Sequence, residues 1–101
     1  MSAPIRVYLP MTFINDAKES DPEMWHLWEK IINLPEARRG RGKGRWAELS
    51  EDEARAILAE ATYRREYWLT DAYGPDDIQP WERTAGKAAE RVESALRDAL
   101  T

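Results

Sequence analysis

A chain of 101 residues with 43% apolar and 34% charged side chains is long enough for one domain around one core, so residues 1–101 are read as a single domain. The formal net charge of −4 argues against nucleic-acid binding over the whole surface while allowing a local basic site. With no cysteine there are no disulfides or thiolate metal ligands, and no run approaches the ~20 apolar residues of a membrane span.

The opening MSAPIRVYLP is too short and too broken by proline for a secretory segment, so a cytoplasmic protein is expected. Between Pro4 and Pro10, the apolar Ile5, Val7 and Leu9 alternate with Arg6 and Tyr8, the period of a half-buried strand. No second good strand follows, and Met11-Thr12-Phe13-Ile14 stands too close for an ordinary hairpin. Residues 1–19 are therefore expected to form an extended arm packed on helices. A short hairpin and a strand paired with another chain are the alternatives.

Ser20-Asp21-Pro22-Glu23 is a helix start, and the helix should run to about Asn33, over 21–33, stopping before Pro35. Met24, Trp25, Trp28, Ile31 and Ile32 share its apolar face, with Leu27 at the edge and Glu23, His26 and Lys30 opposite. From 36 to 45 the chain reads EARRGRGKGR, with a local charge of about +4 that leaves about −8 on the remainder. Gly40, Gly42 and Gly44 point to a flexible loop there, with Trp46 anchoring its return.

A long helix is predicted over 50–73. It opens with the capping box Ser50-Glu51-Asp52-Glu53 and closes at Gly74-Pro75. Ala54, Leu58, Ala61, Trp68, Leu69 and Ala72 form one stripe beside Ile57, and Ala56, Ala59, Tyr63 and Tyr67 form a second strip opposite. Glu51–Arg55 and Glu60–Arg64 are supporting pairs on the flanks. Arg65 interrupts the main stripe, where it either extends over Trp68 to solvent or pairs with a buried carboxylate or a ligand's anion. A last helix over 79–100, with Pro80 in its first turn, carries Trp81, Ala85, Ala88, Val92, Ala95, Leu96 and Ala99 on one stripe. Gly86 falls on its outer face, and Glu93–Arg97 is an exposed pair. The short connection makes these two helices an antiparallel hairpin.

Catalytic chemistry finds little support. The only histidine is His26, and Ser20 and Ser50 are explained as helix caps, so no Ser/His nucleophile is assembled. Glu23 and His26 have the spacing of one half of a di-metal site, but no second pair exists in the chain. Asp71, Asp76 and Asp77 cluster at a turn, where aspartates ordinarily form the turn itself. Gly40-x-Gly42-x-Gly44 is neither a dinucleotide fingerprint nor a phosphate loop, because Gly44 stands where Ser or Thr should hold magnesium.

The expected protein is thus mainly α, with three helices, an N-terminal arm and a flexible basic loop. It has no catalytic, cofactor-binding or metal-binding residues. The expected function is a non-enzymatic protein–protein interaction module, a small accessory or regulatory protein. Partner contacts fall to Tyr63, Tyr67, Arg65 and Trp46, with homodimerisation as an accompanying reading. The alternative is nucleic-acid or acidic-partner binding through Arg38, Arg39, Arg41, Lys43 and Arg45. A further one is an acidic mimic of nucleic acid.

Overall fold

The computed structural model describes residues 3–20, 22–40, 42–71 and 80–101, without the side chains of Ser20, Pro22, Thr70 and Asp71. Among these residues it is mainly helical, with four α-helices and a three-stranded antiparallel sheet ordered β1-β3-β2. Strand β1 (Ile5–Pro10) pairs with β3 (Gly42–Leu49), from Ile5 opposite Leu49 to Pro10 opposite Gly44. Strand β2 (Ala37–Arg39) pairs with the start of β3, from Ala37 opposite Gly44 to Arg39 opposite Gly42.

The N-terminal arm is a strand, and the stretch expected to be a flexible loop is a hairpin that supplies its partner. The glycines serve close geometry instead of mobility. Gly40 begins the two-residue connection with a φ of 63°, the left-handed conformation that primed hairpin turns require. Gly44 is buried, and a Cβ there would collide with the Leu9 carbonyl oxygen and stand 2.9 Å from the Tyr8 ring. Only glycine lets the Tyr8 ring cross the strand.

Helix α1 (Met11–Ser20) occupies residues assigned to the arm. Phe13, Ile14 and Ala17 lie at helical spacing and are fully buried, so the core dictates the helix despite the absence of a capping signature. A 3-10 turn (Pro22–Met24) leads into α2 (Trp25–Ile32), which starts later than predicted. Its buried face centres on Trp28 and Ile31, with Leu27 partly buried, and is rotated away from Trp25, which is 53% exposed.

Helix α3 (Glu51–Glu66) begins with the predicted capping box: the Glu53 N–H donates to Ser50 Oγ at 3.2 Å and the Ser50 N–H to Glu53 Oε1 at 2.9 Å. It continues as a π-helical turn (Tyr67–Asp71), and the predicted stop at Gly74-Pro75 lies outside the described residues. Helix α4 (Pro80–Leu100) starts at its proline as expected. Arg65 meets Glu93, and Leu69 meets Gly86, so later residues of α3 face earlier residues of α4 and the pair is antiparallel.

The face of α4 turned inward differs from the predicted stripe. Gly86, Ala89 and Glu93 are buried with Ala85, Val92 and Leu96, whereas Trp81, Ala95 and Ala99 are exposed. Two features turn the helix. Gly86 receives Leu69, whose Cδ2 lies 2.6 Å from where a Cβ would stand, so this glycine is on the inner face and not the outer one. Glu93 is drawn in by its charge partners on both helices. The core then joins the inner sheet face (Val7, Leu9, Ala47, Leu49) to Phe13, Trp28, Ile57 and Leu96.

Candidate protein-binding surfaces

The second apolar strip of α3 emerges as a chain of touching aromatic rings. Tyr63 and Tyr67, one turn apart, stack at 6.2 Å between centroids with 21° between planes. Tyr67 meets Trp68 edge-on at 4.8 Å, and Trp68 meets Trp81 of α4 edge-on at 5.3 Å. Tyr63, Tyr67 and Trp81 are 57%, 38% and 61% exposed. Three of the four large aromatic rings in this row thus remain open to solvent.

This row is held from beneath by an ionic network. Arg64, buried in the structure although predicted on a flank, donates through Nε to Glu60 Oε1 at 2.8 Å and through a terminal nitrogen to Asp16 Oδ1 at 3.4 Å. Asp16 on α1 also accepts from Trp68 Nε1 at 2.8 Å. The Arg64 guanidinium lies 5.6 Å from the centre of the Tyr63 ring, over its face. The hydrogen bond to Asp16 thus ties down Trp68, the ring that joins Tyr67 to Trp81, and the Arg64 guanidinium lies over Tyr63, contacts that reduce the ordering cost of association. The π-helical turn places Trp68 and Leu69 toward α4 while Tyr67 stays outward, a local widening of the kind frequent at functional sites.

Arg65 belongs to the α3–α4 contact. Its Nε donates to Glu93 Oε1 at 2.7 Å, and a terminal nitrogen stands 3.7 Å from Glu66. Of the roles weighed for it, the buried-carboxylate pair is the one formed. Burial raises the Glu93 pKa, but hydrogen bonds from Thr62 and Arg65 and the charges of Arg65 and Arg97 outweigh it and hold the carboxyl below its ordinary range. The hydrogen bond to Glu93 raises the Arg65 pKa in turn, against burial. Arg97 approaches Glu93 Oε2 at 3.3 Å without hydrogen-bond geometry.

On the outer sheet face, a second aromatic group runs across the strands. The Arg6 guanidinium lies 4.6 Å from the Trp46 ring centre, Tyr8 meets Trp46 edge-on at 5.5 Å, and Arg39 lies 5.8 Å from the Tyr8 ring centre. Trp46 is 40% exposed and Tyr8 is buried beneath its neighbours. Of the basic residues assigned to the hairpin, Arg38 and Lys43 stand opposite each other across β2 and β3. Lys43 also makes an exposed pair with Glu36 at 3.9 Å, a contact of small energetic weight. Arg45 is structural: its Nε donates to the Ile32 carbonyl at the end of α2, at 3.2 Å. Arg41 lies outside the described residues.

Between α2 and β3 is a cavity of about 380 Å³ lined by Leu27 and Ile31 from the helix, Leu34 from the bend that follows it, and Ala47 and Leu49 from the strand, with Arg6, Lys30, Trp46 and Glu48 around it. This volume is at the lower end for ligand sites. The partner-contact candidates Tyr63, Tyr67 and Trp46 are exposed in the structure, and so is Trp81, which the helical wheel assigns to the core together with the partly buried Trp68. Sequence reasoning missed the cation–aromatic contacts of Arg6 and Arg39, which depend on strand pairing.

His26 is exposed and packs against Trp25, and among the described residues no group of three or more metal-ligating side chains converges. Of the aspartate cluster, the Asp71 side chain and all of Asp76 and Asp77 lie outside the described residues. No described helix is long and apolar enough to cross a membrane. Comparison with protein-family models, curated proteins and solved structures finds no match to this chain.

Proposed function

We propose that this protein is a non-enzymatic interaction module, an accessory or regulatory protein that binds a protein partner through the Tyr63–Tyr67–Trp81 row. The observation that carries this reading is the exposure of Tyr63, Tyr67 and Trp81 in a chain of four touching rings, with Trp68 joining Tyr67 to Trp81, on a face backed by buried ion pairs. Tyrosine and tryptophan supply large contact area at low entropy cost and dominate interface hot spots. Exposed aromatic patches of this kind on a small domain mark association sites.

The test is a pull-down from the source cell with three forms of the folded protein. These are the wild type, a Tyr63→Ser/Tyr67→Ser/Trp81→Ser variant, and an Arg38→Ser/Arg39→Ser/Lys43→Ser variant. The reading expects a protein retained by the wild type and the hairpin variant and lost with the aromatic variant. Retention unchanged in the aromatic variant overturns it. A second copy of the chain is the accompanying candidate. Sedimentation equilibrium then gives a dimer that the Tyr63→Ser/Tyr67→Ser variant converts to monomer, and a monomer at all concentrations removes that candidate.

A second reading, nucleic-acid contact, is favoured by one observation: Trp46 lies between Arg6 and the Tyr8–Arg39 contact on an exposed sheet face. A base stacked on Trp46 would have guanidinium groups near its phosphates. It predicts salt-sensitive binding to single-stranded DNA or RNA that the hairpin variant abolishes. No binding at low salt removes it.

A further inference from the structure

Strand β3 outruns its partner β2. The β2 ladder covers only Gly42 to Gly44. Upstream of β2, Pro35 has no main-chain N–H to extend it, and the chain turns away toward α2. From Trp46 to Leu49, β3 therefore has β1 on one side and, among the described residues, no strand on the other.

The register says which groups face that open edge. In an antiparallel sheet, successive residues of a central strand direct their main-chain groups to alternate neighbours. Pro10, without an N–H, stands opposite Gly44, so Gly44 directs its groups away from β1 and toward β2. Trp46 and Glu48 share its parity. Their N–H and C=O groups aim at the open edge, in line with the β2 ladder and beside the cavity under α2.

We infer that this edge binds an extended peptide segment of a partner protein by strand addition. The segment makes up to four main-chain hydrogen bonds to Trp46 and Glu48 and places apolar side chains, at alternate positions, in the cavity between α2 and β3. Neither a helix nor a nucleic acid offers the row of alternating donors and acceptors that this edge lacks. Arg6 and Lys30 outnumber Glu48 at the rim, and Arg38, Arg39 and Lys43 against Glu36 extend the positive charge along the hairpin. The segment is therefore net acidic. This site is separate from the aromatic row on α3 and α4 and stands or falls independently of it.

The test is a titration of the ¹⁵N-labelled protein with an eight-residue peptide alternating valine and threonine and ending in aspartates. The expected result is saturable shifts at the Trp46 and Glu48 amides. The same peptide N-methylated at alternate residues, which keeps its side chains but removes the ladder donors, should bind at least tenfold more weakly. A version with lysines in place of the aspartates should bind severalfold more weakly. Glu48→Pro removes an edge-facing N–H without breaking a bond to β1, so it should keep the fold and lose the peptide. Leu34→Ser, at the cavity rim, should lower affinity by removing apolar surface without touching the edge or the charge balance, and serves if the proline variant misfolds. Before any peptide is added, the Trp46 and Glu48 amides should exchange with solvent faster than those of Ala47 and Leu49. Equal affinity for the N-methylated peptide, no shift up to millimolar concentration, or shifts confined to Tyr63 and Tyr67 would overturn the inference.

Discussion

Gly86→Ala distinguishes the inner face of α4 from the outer one by the sign of a stability change. On an exposed helical face, replacing glycine with alanine raises stability by about 1 kcal/mol, because glycine loses more backbone freedom on folding. In the structure the new methyl group would stand 2.6 Å from Leu69 Cδ2, 2.7 Å from its Cγ and 3.1 Å from Trp68 Cβ. Two of these atoms lie close to the π-helical backbone, so the strain cannot be relieved by rotating a side-chain tip alone. Overpacking of this kind costs about 1–3 kcal/mol. Set against the propensity gain, the variant should be destabilised by up to about 2 kcal/mol. The assay is denaturant unfolding of four proteins: wild type, Gly86→Ala, Leu69→Ala and the double variant. In the Leu69→Ala background the two closest contacts are gone and only the 3.1 Å approach to Trp68 Cβ remains, so the same substitution should stabilise, by up to about 1 kcal/mol. If Gly86→Ala stabilises the wild type by that amount, the α3–α4 packing described above is wrong.

Other substitutions probe the remaining contacts. Gly44→Ala forces a methyl group against the Leu9 carbonyl and the Tyr8 ring; a loss of about 1–3 kcal/mol in chemical denaturation is expected, whereas a mere flexible loop would show none. Ser50→Ala removes the capping hydroxyl of α3 and should cost about 1 kcal/mol, or roughly 4–8 °C in melting temperature by calorimetry. Glu93→Gln weakens the charge-assisted bond from Arg65 and should cost about 1.5–3 kcal/mol at neutral pH. Because the Glu93 carboxyl is held below its ordinary range, its contribution is complete above the unfolded value of about 4.3 and fades as pH falls through the lower folded value. Wild type and Glu93→Gln should therefore converge in stability in acid, and a constant gap down to about pH 2 would exclude the linkage.

The features legible in the sequence were local ones. The capping box at Ser50, the proline start at Pro80 and the antiparallel pairing of the last two helices each follow from a few neighbouring residues. The sheet did not, because β1 finds its partner more than thirty residues away, behind glycines that read equally as flexibility or close approach. Gly44 and Gly86 both prove to be close approaches, a distinction that depends on Tyr8 and Leu69 arriving from elsewhere. Helical wheels erred where charge enters a core. With Glu93 counted as polar and outward, the wheel turned α4 so that Trp81 pointed inward; paired with Arg65, Glu93 is inside and Trp81 is left in solvent. The aromatic row was half visible for the same reason: Tyr63 and Tyr67 share a strip of one helix, while Trp68 and Trp81 join it only through tertiary packing.

The most direct measurement of the binding face is hydroxyl-radical footprinting of the purified chain against the chain in a lysate of its source cell. Trp25, 53% exposed and on α2 away from the row, serves as an internal reference. The account predicts severalfold protection of Tyr63, Tyr67 and Trp81 in the lysate with Trp25 unchanged. Equal oxidation of all four residues in both samples, or protection of Trp25 alone, would contradict it.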